Sequence, residues 1–206
     1  MITPRGYYFI THPVLSGRGI RDDVKDAVTA EVTVVQYRPK NISTRDMLKE
    51  AASIKKMCRG KCLFIVNDRV DVALAVSADG VHLGQSDMPY ALARRMLGDK
   101  KIIGVSVSTV REAEAAERDG ADYLGVGPVF PTDTKKDAGK GVGLKVLAKI
   151  REKCRIPIVA IGGITLENAP RVIEAGADSV CAISAVVTKK DVKKEIKRFQ
   201  HLFNKK

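Results

Sequence analysis

Two acidic residues are notable for their neighbours. Asp68 follows Asn67 in "VNDRVD", and Asp87 stands two residues after Gln85 in "GQSD". Carboxylates and amide oxygens in small number are hard ligands suited to Mg²⁺, which keeps several of its waters and shares phosphate oxygens. A second chemistry is cationic. Gln36, Arg38 and Lys40 alternate in "QYRPK", and Lys135 follows the hydroxyls of Thr132 and Thr134 in "TDTK". Such cations with hydroxyls and backbone donors make a pocket for several phosphate oxygens. Gly162 and Gly163 in "AIGGI" would let another phosphate approach backbone N–H groups, with Ser184 of "AIS" alongside. Ser106 ends a further apolar run, "IIGVSV".

Every member of this set has a plainer reading. Asp68 could pair with Arg69 or close an Asx turn, paired glycines serve tight turns, and polar residues cap strand ends. His82, inside "GVHLG", reads as a buried, hydrogen-bonded histidine rather than a general base, because no carboxylate partner is evident. His12 and His201 carry no signal of their own. The argument for a site is that so many polar residues fall at the ends of apolar runs.

Those runs number eight: "YYFIT" (7–11), "TVVQYR" (33–38), "LFIVND" (63–68), "GVHLG" (80–84), "IIGVSV" (102–107), "YLGVGP" (123–128), "PIVAIGG" (157–163) and "SVCAIS" (179–184). Charged segments with helical periodicity, such as "TRDMLKEAASIKKMC", separate them. Regular alternation implies parallel pairing through right-handed crossovers. Eight units of about 26 residues suit an α/β fold of the (β/α)₈ type, a TIM barrel spanning residues 1–206 as one catalytic domain. A partial repeat agrees: "SADGVHLG", "GADYLGVG" and "GADSVCAIS" each lead through Ala-Asp into an even-numbered strand. Asp79, Asp122 and Asp178 therefore belong to the strand starts, the stabilising end of a barrel. The polar set belongs to the carboxyl ends, which converge on one mouth. An open doubly wound sheet is the rival, and no GxGxxG follows the first strand to support it.

Composition narrows the class. With 45% hydrophobic residues the chain can bury a large core, and neither a signal peptide nor a membrane span is visible, so a soluble cytoplasmic protein is expected. Four cysteines, at 58, 62, 154 and 181, lack zinc-site spacing and read as reduced thiols. The net charge is +12, half of it in residues 188–206. There Val192, Ile196, Phe199 and Phe203 recur at helical spacing, so the tail reads as an amphipathic helix that docks its apolar stripe. No RNA-binding motif or aromatic platform accompanies the lysines. The expected partners are small phosphorylated molecules, not nucleic acid or membrane; the oligomeric state is left open.

In order along nearly its whole length, the chain resembles the thiamine-phosphate synthase family. The likeness is carried by "VQYRPK", "VNDRVDVALAVSADGVHLGQSD", "IIGVSVST", "GADYLGVGPVFPTDTKKD", "PIVAIGGI" and "GADSVCAIS". Of these the Thr-x-Thr-Lys and Asn-Asp/Gly-Gln-x-Asp combination is specific, whereas "GGI" is shared by many barrels. The resemblance implies joining of hydroxymethylpyrimidine diphosphate to hydroxyethylthiazole phosphate with release of pyrophosphate, in the presence of Mg²⁺. It implies Asp68 and Asp87 as metal ligands. Gln36, Arg38, Lys40, Asn67, Ser106 and Lys135 would surround the pyrimidine and its diphosphate, with Lys135, Arg38 and Ser106 as the catalytic set. Thr132, Thr134, Gly163, Ile183 and Ser184 would hold the thiazole phosphate. The chain departs from the family at Pro39, where an acidic residue is commoner; a proline there removes a backbone donor and stiffens the strand exit. Two other readings compete: a thiazole tautomerase on the same fold, and a basic non-catalytic protein that binds RNA or an acidic partner.

Overall fold

The computed structural model describes residues 4–132, 134 and 140–204. Eight parallel strands pair in chain order, and the eighth returns to the first, closing the sheet into a barrel. The odd strands are β1 (Gly6–Ile10), β3 (Leu63–Asn67), β5 (Ile102–Val107) and β7 (Ile158–Ile161). Between them run β2 (Val34–Tyr37), β4 (Gly80–Leu83), β6 (Tyr123–Val126) and β8 (Ser179–Cys181). Helices α1 (Ile20–Thr29), α2 (Thr44–Cys58), α3 (Val70–Ala75) and α4 (Tyr90–Leu97) follow the first four strands. The last four are followed by α5 (Val110–Asp119), α6 (Gly143–Lys153), α7 (Ala169–Glu174) and α8 (Ile183–Val187), before α9 (Val192–His201). The (β/α)₈ barrel expected from the alternation of runs is the architecture observed. No helix among the described residues is long and apolar enough to cross a membrane.

Three strands end two or more residues before their apolar runs do. β6 stops at Val126, ahead of Pro128, which has no N–H for a ladder. β7 stops before Gly162, whose φ of 99° lies in the left-handed region. β8 stops at Cys181, so Ile183 and Ser184 open α8 instead of extending the strand.

The Ala-Asp repeat has a physical cause at the barrel's lower end. Asp79 accepts from the N–H of Phe64 at 2.8 Å and from Lys55 at 2.8 Å. Asp122 does the same with Ile103 N–H at 2.8 Å and Arg94 at 2.8 Å. Asp178 repeats it with Ile158 N–H at 2.8 Å and Arg151 at 3.1 Å. Each carboxylate therefore ties the start of an even strand to the odd strand before it and to a helix cation. In the remaining pair Thr33 takes over, accepting from Arg5 N–H at 3.2 Å and donating to Arg5 O at 3.1 Å. Four strand pairs are pinned at one end, and the carboxyl ends are left free for chemistry.

Most of the core lies between strands and helices. The lysine-rich tail belongs to it: Val192, Ile196 and Phe199 are fully buried, and the Phe199 ring lies 5.3 Å from that of Tyr7 on β1. Asp191 caps α9 by accepting from Lys194 N–H at 2.8 Å. The tail thus packs against the first strand, as its apolar spacing led us to expect. Phe199→Ala is expected to cost about 3–5 kcal/mol of stability, measured by urea denaturation; a loss under about 1 kcal/mol would show that α9 is only loosely docked.

Candidate active site

The barrel interior is lined by Tyr8, Ile10, Val34, Ile65, Tyr123, Val159 and Cys181. Two tyrosines in so narrow a space need small neighbours. A Cβ on Gly104 would fall on the Tyr123 ring, and one on Gly125 would lie 2.7 Å from His82 Cε1. Both glycines are therefore required by close approach.

The phenol hydroxyls cannot reach water, and they form a line across the barrel. Gln36 Nε2 donates to Tyr8 Oη at 2.9 Å, and Tyr8 Oη lies 2.8 Å from Tyr123 Oη. His82 Nδ1 is 3.0 Å from Tyr123 Oη, and His82 Nε2 is 2.9 Å from Ser106 Oγ. Burial holds both tyrosines well above the ordinary phenol range, so both stay protonated. With Gln36 donating to Tyr8, one direction pairs every buried proton in the line. Tyr8 donates to Tyr123, Tyr123 donates to His82 Nδ1, and His82 carries its proton on Nε2 and donates to Ser106. Ser106 then has its own proton to offer upward.

Strand register delivers the other polar residues to the same rim. Gln36 lies opposite Ile10 and Ile65, Asn67 opposite His82, and Ser106 opposite Gly125. Asp68 extends the ladder, its N–H donating to His82 O at 2.8 Å, with a left-handed φ of 62°. Arg69 directs its guanidinium to Asp71 at 2.6 Å and to Thr44 at 3.3 Å, not to Asp68. Asp87 Oδ2 takes the Gly84 N–H at 2.7 Å, which leaves Oδ1 for another partner. Gln85 Nε2 donates to Ser106 O at 2.6 Å. Thr109 caps α5 through Glu112 N–H at 3.1 Å, and Glu112 takes Ser108 N–H at 2.6 Å, so the exit of β5 beside Ser106 is fixed.

The cations enter from β2. Thr11 Oγ1 accepts from Arg38 N–H at 2.9 Å, bracing the exit that Pro39 follows. Arg38 acts across the mouth on Cys181 of β8, whose thiol is pushed up by burial and pulled back by that positive charge. His12, at the end of β1, lies close enough to Arg38, Lys40 and the backbone of Thr134 to feel all three. One histidine thus marks where the β2 cations and the threonine segment meet. Thr132 Oγ1 accepts from Thr134 N–H at 3.2 Å, so that backbone donor is already engaged. Lys135, Lys136 and Asp137 lie outside the described residues.

Gly162 and Gly163 have a packing role of their own. A Cβ on Gly163 would meet Pro131 O at 2.6 Å and Phe130 Cβ at 2.7 Å, and one on Gly162 would meet Pro128. The loop after β6 therefore rests directly on the loop after β7, which in strand order lies between the threonines and the β8 exit that carries Ile183 and Ser184. Two other surface depressions, of about 690 and 710 Å³, lie along α9 and between α4 and α5. Neither includes a strand end, so polar convergence defines this site better than cavity size.

Sequence reading had not singled out Tyr8, Tyr123, Thr11 or His12. It had noted His82, and the histidine is indeed hydrogen-bonded at both ring nitrogens. The missed signal was the pair of glycines at inward positions of β5 and β6.

Comparison with known proteins decides the family. Residues 7–186 match the model described as thiamine monophosphate synthase. The chain belongs to that family. It is 53% identical over 193 residues to the thiamine-phosphate synthase of Methanosarcina barkeri, covering 94% of this chain and 88% of the relative. The Chloroflexus aurantiacus thiamine-phosphate synthase is 54% identical over 187 residues, covering 90% and 86%. Among solved structures, thiamine phosphate pyrophosphorylase from Pyrococcus furiosus superposes with a TM-score of 0.88 at 42% identity, over 97% of this chain and 95% of that one.

Tyr123→Phe removes the hydroxyl between Tyr8 and His82 and strands two buried polar groups. We expect a loss of about 1–3 kcal/mol in denaturant unfolding. An unchanged midpoint would mean that the line of hydrogen bonds is not maintained in solution.

Proposed function

We propose that the chain is a transferase that joins hydroxymethylpyrimidine diphosphate to hydroxyethylthiazole phosphate, giving thiamine phosphate and pyrophosphate. The observation that carries this reading is the hydrogen-bonded line from Gln36 to Ser106 beneath the cations of β2. It leaves Gln36 Oε1 as an acceptor and the Ser106 O–H as a donor. An aminopyrimidine carries groups of both matching kinds, an amino donor for the amide oxygen and ring-nitrogen acceptors for the hydroxyl. Family membership and the named relatives support the same activity.

In this reading Arg38 and Lys40 neutralise the diphosphate, joined by Lys135 as the sequence resemblance implies. The C–O bond between the pyrimidine methylene and the diphosphate breaks heterolytically. The electron pair leaves with the oxygen, and the aminopyrimidine ring delocalises the positive charge left on carbon. Fixed positive charge at the departing oxygens is the largest contribution asked of the protein. The thiazole nitrogen then supplies the pair for the new C–N bond, held near the cation by its phosphate at Thr132, Thr134, Gly163, Ile183 and Ser184. No side-chain nucleophile is required.

Mg²⁺ fits the donor chemistry of Asp68 and Asp87. Both are hard oxygen ligands on neighbouring loops, and Asp87 keeps one oxygen unengaged by Gly84. Two carboxylates are a sparse set, suited to an ion that completes its shell with water and phosphate. When bound, such an ion would neutralise charge on the leaving diphosphate.

A thiazole tautomerase would keep the phosphate contacts but has no use for Arg38, Asp68 and Asp87 together. The decisive assay supplies both phosphorylated substrates with Mg²⁺ and follows thiamine phosphate and pyrophosphate. Product is expected only when all three are present; turnover of the thiazole phosphate alone, without metal, would overturn the reading. Lys135→Ala should lower kcat about 100-fold and raise KM far less, because its charge acts on the departing group. An unchanged kcat would remove Lys135 from the catalytic set.

A further inference from the structure

Among the described residues, nothing completes a hydrogen bond to one ring nitrogen of His12. The chain turns sharply after β1, with the N–H groups of Leu15 and Ser16 donating to His12 O at 3.1 and 3.0 Å. Leu15 N–H is shared with His12 Nδ1 at 3.2 Å. A nitrogen that accepts from an N–H carries no proton, so the proton of the neutral ring sits on Nε2. That atom is buried, the residue being 5% exposed, and no described residue meets it in full hydrogen-bond geometry. The backbone of Thr134 lies close enough to favour the protonated ring and partly offsets the effect of burial. Burial first, with Arg38 and Lys40 adding to it, holds the imidazole below its ordinary pKa and keeps it neutral. An unpaired buried donor is costly unless an ordered water or a ligand takes it up.

We infer that His12 is a further binding residue, whose Nε2–H donates to an oxygen of the diphosphate held by Arg38 and Lys40. This deepens the proposed function and rests on its assignment of the β2 cations to a diphosphate. The charges near the ring decide between the two phosphate groups, because both lie on the segment that leaves β2. A neutral donor suits that place physically. A third cation beside Arg38 and Lys40 would be repelled before the ligand arrived, whereas an N–H dipole adds a hydrogen bond without that penalty. Strand position agrees as well: β1 pairs with β2, and Thr11 already ties the two exits together.

The test separates the donor from the turn it stands on. His12→Asn keeps an oxygen where Nδ1 was, able to accept from Leu15 N–H, and removes the group at Nε2. His12→Gln puts an amide N–H where Nε2 was. Inorganic pyrophosphate, titrated calorimetrically in magnesium buffer, is expected to bind H12N about tenfold more weakly than the parent, with H12Q within about threefold. Orthophosphate should bind all three proteins alike. A loss confined to orthophosphate, or H12N binding pyrophosphate like the parent, overturns the inference while leaving the proposed function standing. If the parent itself binds no pyrophosphate, the functional reading falls and the inference with it. Should H12N fail to fold, nitrogen-15 NMR of the parent imidazole gives the answer: pyrophosphate is expected to move the Nε2 resonance, and a stationary signal refutes the contact.

Discussion

Two phenol hydroxyls with no access to water govern the upper half of this molecule. Tyr8 and Tyr123 fill the barrel where aliphatic side chains would have sufficed for packing, and each brings an oxygen that must be paired. Their solution is mutual, at 2.8 Å, with Gln36 at one end and His82 at the other. From that follows the rest of the inner layer. His82 must face inward, so Gly125 must lack a side chain; Tyr123 must lie flat across β5, so Gly104 must too. Ser106 receives the last bond of the line and is thereby held at the rim. Ligand recognition and core packing are one network here, and a change to either disturbs the other.

The lower half answers to a different requirement. Closure needs the strands held in register, and a carboxylate that accepts both a strand N–H and a helix cation does so at three of the eight pairs. These groups are only partly buried, so as ion pairs alone they would contribute little. Their value lies in the backbone bonds. An aspartate accepting an N–H at the mouth would spend an oxygen wanted for a ligand, and Asp87 does so with only one of its two. Stability and chemistry are divided between the ends of the same strands.

Much of this was legible in the sequence because it depends on local pattern. Eight apolar runs separated by amphipathic segments specify alternating strands and helices, and the Ala-Asp repeat marks the strand starts. Polar residues at strand ends named Gln36, Arg38, Asn67, Ser106 and Asp68, since chain direction alone sends every parallel strand to the same rim. What the pattern does not contain is shear. The stagger of the closed barrel decides that Tyr8 of the first strand meets Tyr123 of the sixth, and no spacing along the chain encodes a meeting 115 residues apart. His12 was invisible for a similar reason. Its surroundings come from β2 and from the loop after β6, and its own segment reads as an ordinary turn. The tail, by contrast, was readable as a docking helix, because its apolar spacing is contained within four turns.

Electrostatics links these layers. The chain carries a net charge of +12, half of it in residues 188–206, where solvent and salt screen it. At the mouth, each cation added opposes the next. A diphosphate needs many donors as well as neutralisation. In the function we propose, the rim meets both needs by mixing charged groups with neutral ones: Arg38 and Lys40 bring charge, while amides, hydroxyls and a neutral imidazole bring N–H and O–H groups without repulsion. Such a rim is tolerable when empty and becomes strongly favourable only when an anion enters. On that reading it favours the departing diphosphate, whose charge grows as the bond breaks, over a bound substrate whose charge stays constant.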